Sequence, residues 1–189
     1  MAHVRPPRGF TLIELMIVVA IVGILTTVAL PTFGRSMIRT KTAERATIML
    51  RIKQAVQDLY VRTGSSLPAS ESSPLDAGYN PPLPATMAKR VMATNNARWN
   101  AYFSAPGGGS SLNLDIEGGV YYSYWFQVEE TPALATITVV AVGDLDGDGV
   151  YSTKRIVYTR LPGGVYQVLP GGETPAPGLE DDAGPDATF

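Results

Sequence analysis

The sequence predicts an α+β fold: a long N-terminal helix, membrane-crossing in its first half and amphipathic in its second, packed on a roughly four-stranded antiparallel sheet. Three observations predict it. Phe10 to Leu30 is a 21-residue apolar run whose single charged member is Glu14. Met49, Ile52, Val56 and Leu59 recur at helical spacing. From Val120 onward, four β-branched or aromatic runs follow at short spacing, separated by turn residues.

Composition narrows the function before any motif is read. The 189 residues allow one globular unit plus an appendage. With 15 Lys and Arg against 17 Asp and Glu, no overall basic charge points to nucleic acid as a partner. The charge is uneven: residues 1–62 hold 9 basic and 3 acidic side chains, and residues 63–189 hold 6 and 14. Cysteine is absent and the one histidine is His3. A Ser-His or Cys-His nucleophile system and the usual thiolate–imidazole zinc site are thereby excluded. The chain reads as no enzyme.

The apolar run is long enough to cross a bilayer core, which takes about 20 mostly apolar residues. Arg5 and Arg8 precede it and favour a cytoplasmic N-terminal flank. Three readings fit such a segment. A secretory signal peptide would use Thr27-Val28-Ala29 as its cleavage site, and a plain anchor would simply span. Neither gives a use to Glu14, a carboxylate of a kind that costs about 2.5–3.5 kcal/mol at the centre of a membrane helix and less near the interface. The third is a reading in which something offsets that cost.

Gly9-Phe10-Thr11-Leu12-Ile13-Glu14-Leu15, continued to Gly23 and followed by Pro31, resembles the processing site of type IV pilins and the related pseudopilins. The resemblance implies cleavage by a membrane prepilin peptidase between Gly9 and Phe10, then N-methylation of Phe10. It implies a subunit of a type IV pilus or pilus-like filament, serving adhesion, motility, DNA uptake or secretion. The precursor would sit in the bacterial inner membrane, leader in the cytoplasm and head outside, in contact with lipid and an assembly platform. Copies of itself or other pilins would then pack through their apolar helices. Glu14 would meet the Phe10 ammonium of a neighbouring copy, an ion pair that sets axial register. The divisions expected are a leader at 1–9, a transmembrane or filament-core helix at 10–31, an amphipathic stalk at 32–63, a variable loop region at 64–119, the sheet with an acidic loop at 120–170, and an acidic flexible tail at 171–189. A type II secretion pseudopilin is the alternative within the family. A membrane-anchored calcium-dependent binding module is the alternative outside it.

Pro31 removes a helix donor and predicts a kink or break, with Gly23 weakening the ladder further. The resemblance adds that helix between such a glycine and proline is lost in assembled filaments. Beyond Pro31, Arg35, Arg39, Lys41, Arg45, Arg51, Lys53 and Arg62 lie around the apolar stripe, left for solvent, for anionic headgroups near the membrane or for acidic neighbours in an assembly. Thr63-Gly64 is a helix stop. Residues 64–118 are rich in Pro, Ser and Gly, with a short helix expected at Ala85–Val91.

The strands expected are Val120–Val128, Ala135–Val142, Arg155–Leu161 and Val165–Leu169, the last two joined through Pro162-Gly163-Gly164. In the first, Val120, Tyr122, Tyr124, Phe126 and Val128 share one face, which reads as core. Between the second and third strands, Asp144, Asp146 and Asp148 take positions one, three and five of a calcium loop, and Gly149 takes the sixth. The Val150 carbonyl and the Ser152 hydroxyl are candidate further Ca2+ ligands. Arg155 stands where an EF-hand has its bidentate glutamate, so a carboxylate from an adjacent loop has to complete the shell, with Glu129 and Glu130 as candidate donors. The bland reading is a polar turn. Pilins commonly close this region with a disulfide; without cysteine, a metal is the candidate staple. Three aspartates in one turn are too tightly clustered to flank a sugar as a glycosidase pair does.

Overall fold

A computed structural model of the chain describes residues 9–68, 71–83, 85–86, 88–93, 96, 98–99, 116 and 118–174. The leader residues 1–8, the Gly107–Gly109 run and the tail from 175 onward lie outside the described residues. The chain divides into two compact units, Met1–Met37 and Ile38–Phe189.

The first unit is the beginning of helix α1, Leu12–Thr63. Thr11 caps it. Its Oγ1 accepts the Glu14 N–H at 3.3 Å, while the Glu14 carboxylate accepts the Thr11 N–H at 2.8 Å, a reciprocal capping box. Thr26, Thr27 and Thr32 donate their hydroxyls back to carbonyls one turn earlier, so no polar side-chain donor on this apolar stretch is left facing outward. The helix runs unbroken through Gly23 and Pro31. The helix is therefore continuous at Pro31 in the single subunit, without a break, although the proline removes one ladder donor there.

In the second unit, the remainder of α1 lies against a five-stranded antiparallel sheet. The strands are β1 (Leu75–Asp76), β4 (Ser123–Glu130), β5 (Ala135–Gly143), β6 (Ser152–Arg160) and β7 (Tyr166–Thr174), in spatial order β1-β4-β5-β6-β7. A separate two-stranded ribbon pairs β2 (Arg90–Val91) with β3 (Gly119–Val120). The helix stripe is buried as its periodicity predicts: Met49, Ile52, Val56 and Leu59 share one core with Tyr122 just before β4, Tyr124, Phe126 and Val128 of β4, and Ile137, Val139 and Ala141 of β5. Trp99 enters from the loop region, edge-on to Phe126 with centroids 4.8 Å apart.

Several expectations are corrected. Ala85–Val91 holds no helix among its described residues, and its end is strand β2. Arg90 donates to the Pro82 carbonyl and the Ser123 hydroxyl, both at 2.6 Å, so tertiary bonds override a weak local propensity. The first long strand is interrupted at Tyr121–Tyr122, where the chain leaves β3 and enters β4. Strand β6 begins three residues early, at Ser152. Strand β7 continues to Thr174, into the stretch read as tail. It passes Pro170 because the register shifts there: Tyr158 faces Val168 and Ile156 faces Glu173, leaving the proline in an irregularity where no ladder donor is required. The β6–β7 turn has Gly163 at φ 100°, the left-handed position of a type II turn after Pro162.

Arg45, on a helix face open by its sequence pattern to solvent or a partner, is buried by the fold. Its guanidinium donates to Ser152 Oγ at 3.2 Å and sits 5.5 Å from the Tyr122 ring centroid. An arginine packs in such a place when an aromatic face and a polar partner replace water.

Candidate functional site

Two candidate sites follow from the sequence, one at each end of the fold's logic. The first is the start of α1. Gly9 and Phe10 are exposed, Phe10 at 86 %. Glu14 is held by the Thr11 cap, so its carboxylate already has a local partner in the single subunit. From Leu12 to Leu30 the large apolar side chains are all more than half exposed. This stretch is long and apolar enough to cross a membrane, and none of it is buried within the subunit.

The second is the acidic loop after β5. Asp144, Asp146 and Asp148 bring carboxylate oxygens within 4.8 Å of one another. The convergence comes from turn chemistry. Each aspartate accepts a backbone N–H two or three residues ahead: Asp144 from Gly147 at 2.7 Å, Asp146 from Asp148 at 3.4 Å, and Asp148 from Val150 at 2.7 Å. Leu145, buried at 1 %, pins the loop into the core. Lys41 of the helix donates its ammonium to the Leu145 carbonyl at 2.6 Å, a strap that the sequence offered no signal for. Burial pushes the Asp146 carboxyl above its ordinary pKa, opposed by the Asp148 N–H that it accepts and aided by the Asp148 charge.

The other candidate ligands fare differently. Val150 touches the cluster through its N–H. Ser152 Oγ is fully buried and engaged by Arg45, with Tyr122 OH at 3.5 Å, so its hydroxyl is committed away from the aspartates. Glu129 and Glu130 are corrected outright. Strand β4 runs antiparallel to β5, with Ser123 opposite Val142 and Glu130 opposite Ala135. The two glutamates therefore lie at the far end of β4, about 27–31 Å from Asp144 at 3.4 Å per residue.

Glu130 has a structural use instead. It accepts Ser65 Oγ at 2.9 Å and the Ser66 N–H at 2.7 Å, and pairs with Arg160 at 2.5 Å. Burial opposes its charge. The Ser66 N–H, the Ser65 hydroxyl and the Arg160 guanidinium outweigh that and hold its carboxyl below the ordinary value. Glu44 goes the other way: burial raises it, against the Tyr121 N–H and Lys89.

Comparison with known proteins bears on the first site directly. The prokaryotic N-terminal methylation motif matches residues 5–30, spanning Gly9, Phe10 and Glu14. A fimbrial protein of Neisseria meningitidis is 47 % identical over 163 residues, covering 82 % of this chain and 91 % of that relative. The type IV major pilin protein PilE of Neisseria gonorrhoeae is 32 % identical over 167 residues, covering 80 % and 92 %. The chain belongs to the type IV pilin family. A gonococcal PilE1 pilin is 44 % identical over 70 residues, where the match spans 35 % of this pilin and 33 % of that relative. No solved structure matches. As a member of this family the pilin is a structural filament subunit and not an enzyme, and its apolar helix fits a membrane-anchored precursor.

Proposed function

We propose that this pilin is cut between Gly9 and Phe10 by a prepilin peptidase, N-methylated at Phe10, and drawn by an inner-membrane assembly platform into a filament built of its own copies. The observation that carries the reading is the apolar face of α1 from Phe10 to Leu30, which nothing in the subunit covers. Lipid covers it before assembly, with the leader cytoplasmic and the head outside. The helices of neighbouring copies cover it afterwards. The Neisseria relatives, one named as a type IV major pilin and one as a fimbrial protein, support a pilus subunit over a secretion pseudopilin.

Glu14 serves twice in this scheme. In the free subunit it closes the Thr11 capping box. In the filament the same carboxylate faces the cleaved Phe10 ammonium of a neighbour, and packing melts the helix between Gly23 and Pro31, where its ladder is weakest. The test is filament yield in sheared surface fractions. Glu14→Ala abolishes incorporation although Gly9–Phe10 cleavage continues, and Gly9→Ala blocks both. Full incorporation of Glu14→Ala overturns the pairing.

The acidic loop is a calcium site in this reading. Asp144, Asp146 and Asp148 supply the carboxylates, and the Val150 carbonyl is the further candidate ligand. With Glu129 and Glu130 out of reach, water completes the shell and the affinity is weak, about 10⁻⁴–10⁻³ M as in extracellular modules. Calorimetric titration of the full chain in detergent shows calcium heat that Asp146→Asn with Asp148→Asn removes. No heat at millimolar calcium leaves the loop a polar turn.

A further inference from the structure

On the sheet face turned away from α1, a groove of about 420 Å³ crosses β4, β5 and β6. Its floor follows from strand alternation. Tyr124, Phe126 and Val128 point into the core, so Trp125, Gln127 and Glu129 line the outer face. Cross-strand register brings Thr138 beside Gln127, and Val140 stands between Trp125 and Arg155. Tyr79 closes one side, held there because Asn80 bridges to Tyr124 of β4.

The groove is built with fixed parts. The Trp125 indole N–H donates to Asp76 Oδ1 at 2.6 Å, and Asp76 is itself tied to the Gly78 N–H at 2.9 Å. The indole edge is thereby fixed and its polar atom satisfied, with Trp125 part of the groove lining. Gln127 donates to Glu129 at 2.9 Å, which orients both at the other end. Arg155 forms no ion pair among the described residues. Its five-donor fork matches a carboxylate bidentately. From Trp125 to Glu129 the row measures about 13 Å along the strand.

Each part selects a ligand feature. A rigid aromatic face beside a strip of amide, hydroxyl and carboxylate groups suits a pyranose, whose C–H face is apolar and whose rim is hydroxyls. A cation at one end adds one carboxylate. Residues 63–189 carry 14 acidic against 6 basic side chains, which disfavours a polyanion such as nucleic acid and admits a ligand with a single charge. We propose that this groove is a binding site for a short oligosaccharide bearing one carboxylated sugar. The acid pairs with Arg155, a ring stacks on Trp125, and Gln127, Thr138 and Glu129 bond its hydroxyls. This goes beyond filament assembly and does not depend on it.

The probes are sialyllactose and a glucuronic-acid-terminated trisaccharide, with lactose as the neutral comparator, titrated calorimetrically into the full chain in detergent. At least one acidic probe binds more tightly than lactose. Arg155→Gln weakens that probe about tenfold and leaves lactose unchanged. Trp125→Leu weakens all sugars. Trp125 also packs on a small outer cluster with Val140 and Leu83, so Thr138→Val, which keeps the shape and removes one hydroxyl, is measured beside it. A merely structural role for Arg155 would not alter the preference for acidic over neutral sugar. The proposal is overturned if neither acidic probe binds, or if Arg155→Gln binds both as the wild type does.

Discussion

From Phe10 to Leu30 the large apolar side chains of α1 stand more than half exposed, whereas Met49, Ile52, Val56 and Leu59, on the same helix, are each 1 % exposed. The backbone is the same in both regions and the physics is opposite. The later stripe has its partners in the same chain, the inward face of β4 and β5. The earlier stretch has none, and its apolar surface is satisfied only by lipid or by other helices. One secondary structure thus serves two ends: the later half stabilises the subunit, and the earlier half is stabilised by whatever surrounds the subunit. A helix alone does not report its use; the pattern of its apolar residues does. A continuous apolar run signals an environment apolar on every side, and a narrow stripe signals one packed face.

The largest expected effect breaks the comparison in energy. In the detergent-solubilised full chain, Ile52→Ala or Leu59→Ala lowers the unfolding free energy by about 2–5 kcal/mol, through lost transfer energy and a residual cavity. Leu25→Ala, at a position 63 % exposed, changes it by less than about 0.5 kcal/mol. Filament yield reverses the ranking per unit of subunit stability, because Leu25 is then at an interface. Equal destabilisation by Leu25→Ala and Leu59→Ala in urea unfolding would show that the earlier stretch packs within the subunit after all.

The contrast was largely legible in the chain, and what was not legible has a common cause. Period and alternation expose any element long enough to repeat, which covers the stripe from Met49 to Leu59 and the face from Val120 to Val128. Strands β1, β2 and β3 are two residues each, too short for a period to exist. Arg45 reads as solvated because an arginine on a helix flank usually is. Its burial depends on Ser152, 107 residues away, and on the Tyr122 ring. The aspartate triad was visible because alternate residues of one turn converge locally. The partners of that loop were not visible. Whether Glu130 faces it depends on which end of β4 meets the end of β5, which is topology rather than spacing, and Lys41 reaches it only across the helix–sheet packing.

A smaller effect sharpens the comparison within the packed unit, through pH. Glu130 faces Arg160, with Tyr166 and Tyr60 nearby, and its folded pKa is depressed. Its contribution to stability is therefore complete above the ordinary carboxylate value of 4.5 and is lost as pH falls through the lower folded value. Glu44, raised by burial, has the opposite sign: the folded state gains from it on acidification. Glu130→Gln keeps the shape and removes the charge, lowering stability at neutral pH by about 2–3 kcal/mol. The difference between wild type and Glu130→Gln in urea midpoint shrinks steadily from pH 5 to pH 3. A difference that stays constant over that range would mean the Ser65, Ser66 and Arg160 contacts do not depend on the charge.

The smallest effect tests where the packed half of α1 ends. The helix stops at Thr63, and Gly64 follows at φ 76°, with its N–H donating to the Tyr60 carbonyl at 2.8 Å. A Cβ at Gly64 would meet nothing within 4 Å, so substitution meets no steric neighbour and the whole effect is backbone strain. Gly64→Ala is expected to lower stability by about 1 kcal/mol, and Gly64→Asn by less, since asparagine tolerates the left-handed region better than alanine. The ordering of these two variants in urea unfolding is the informative readout. If alanine matched glycine, the left-handed turn would not be what stops the helix. The chain would then be turned towards Ser65 and Ser66 by the Glu130 clamp that holds them, and the Glu130→Gln variant would fray the last turn of α1.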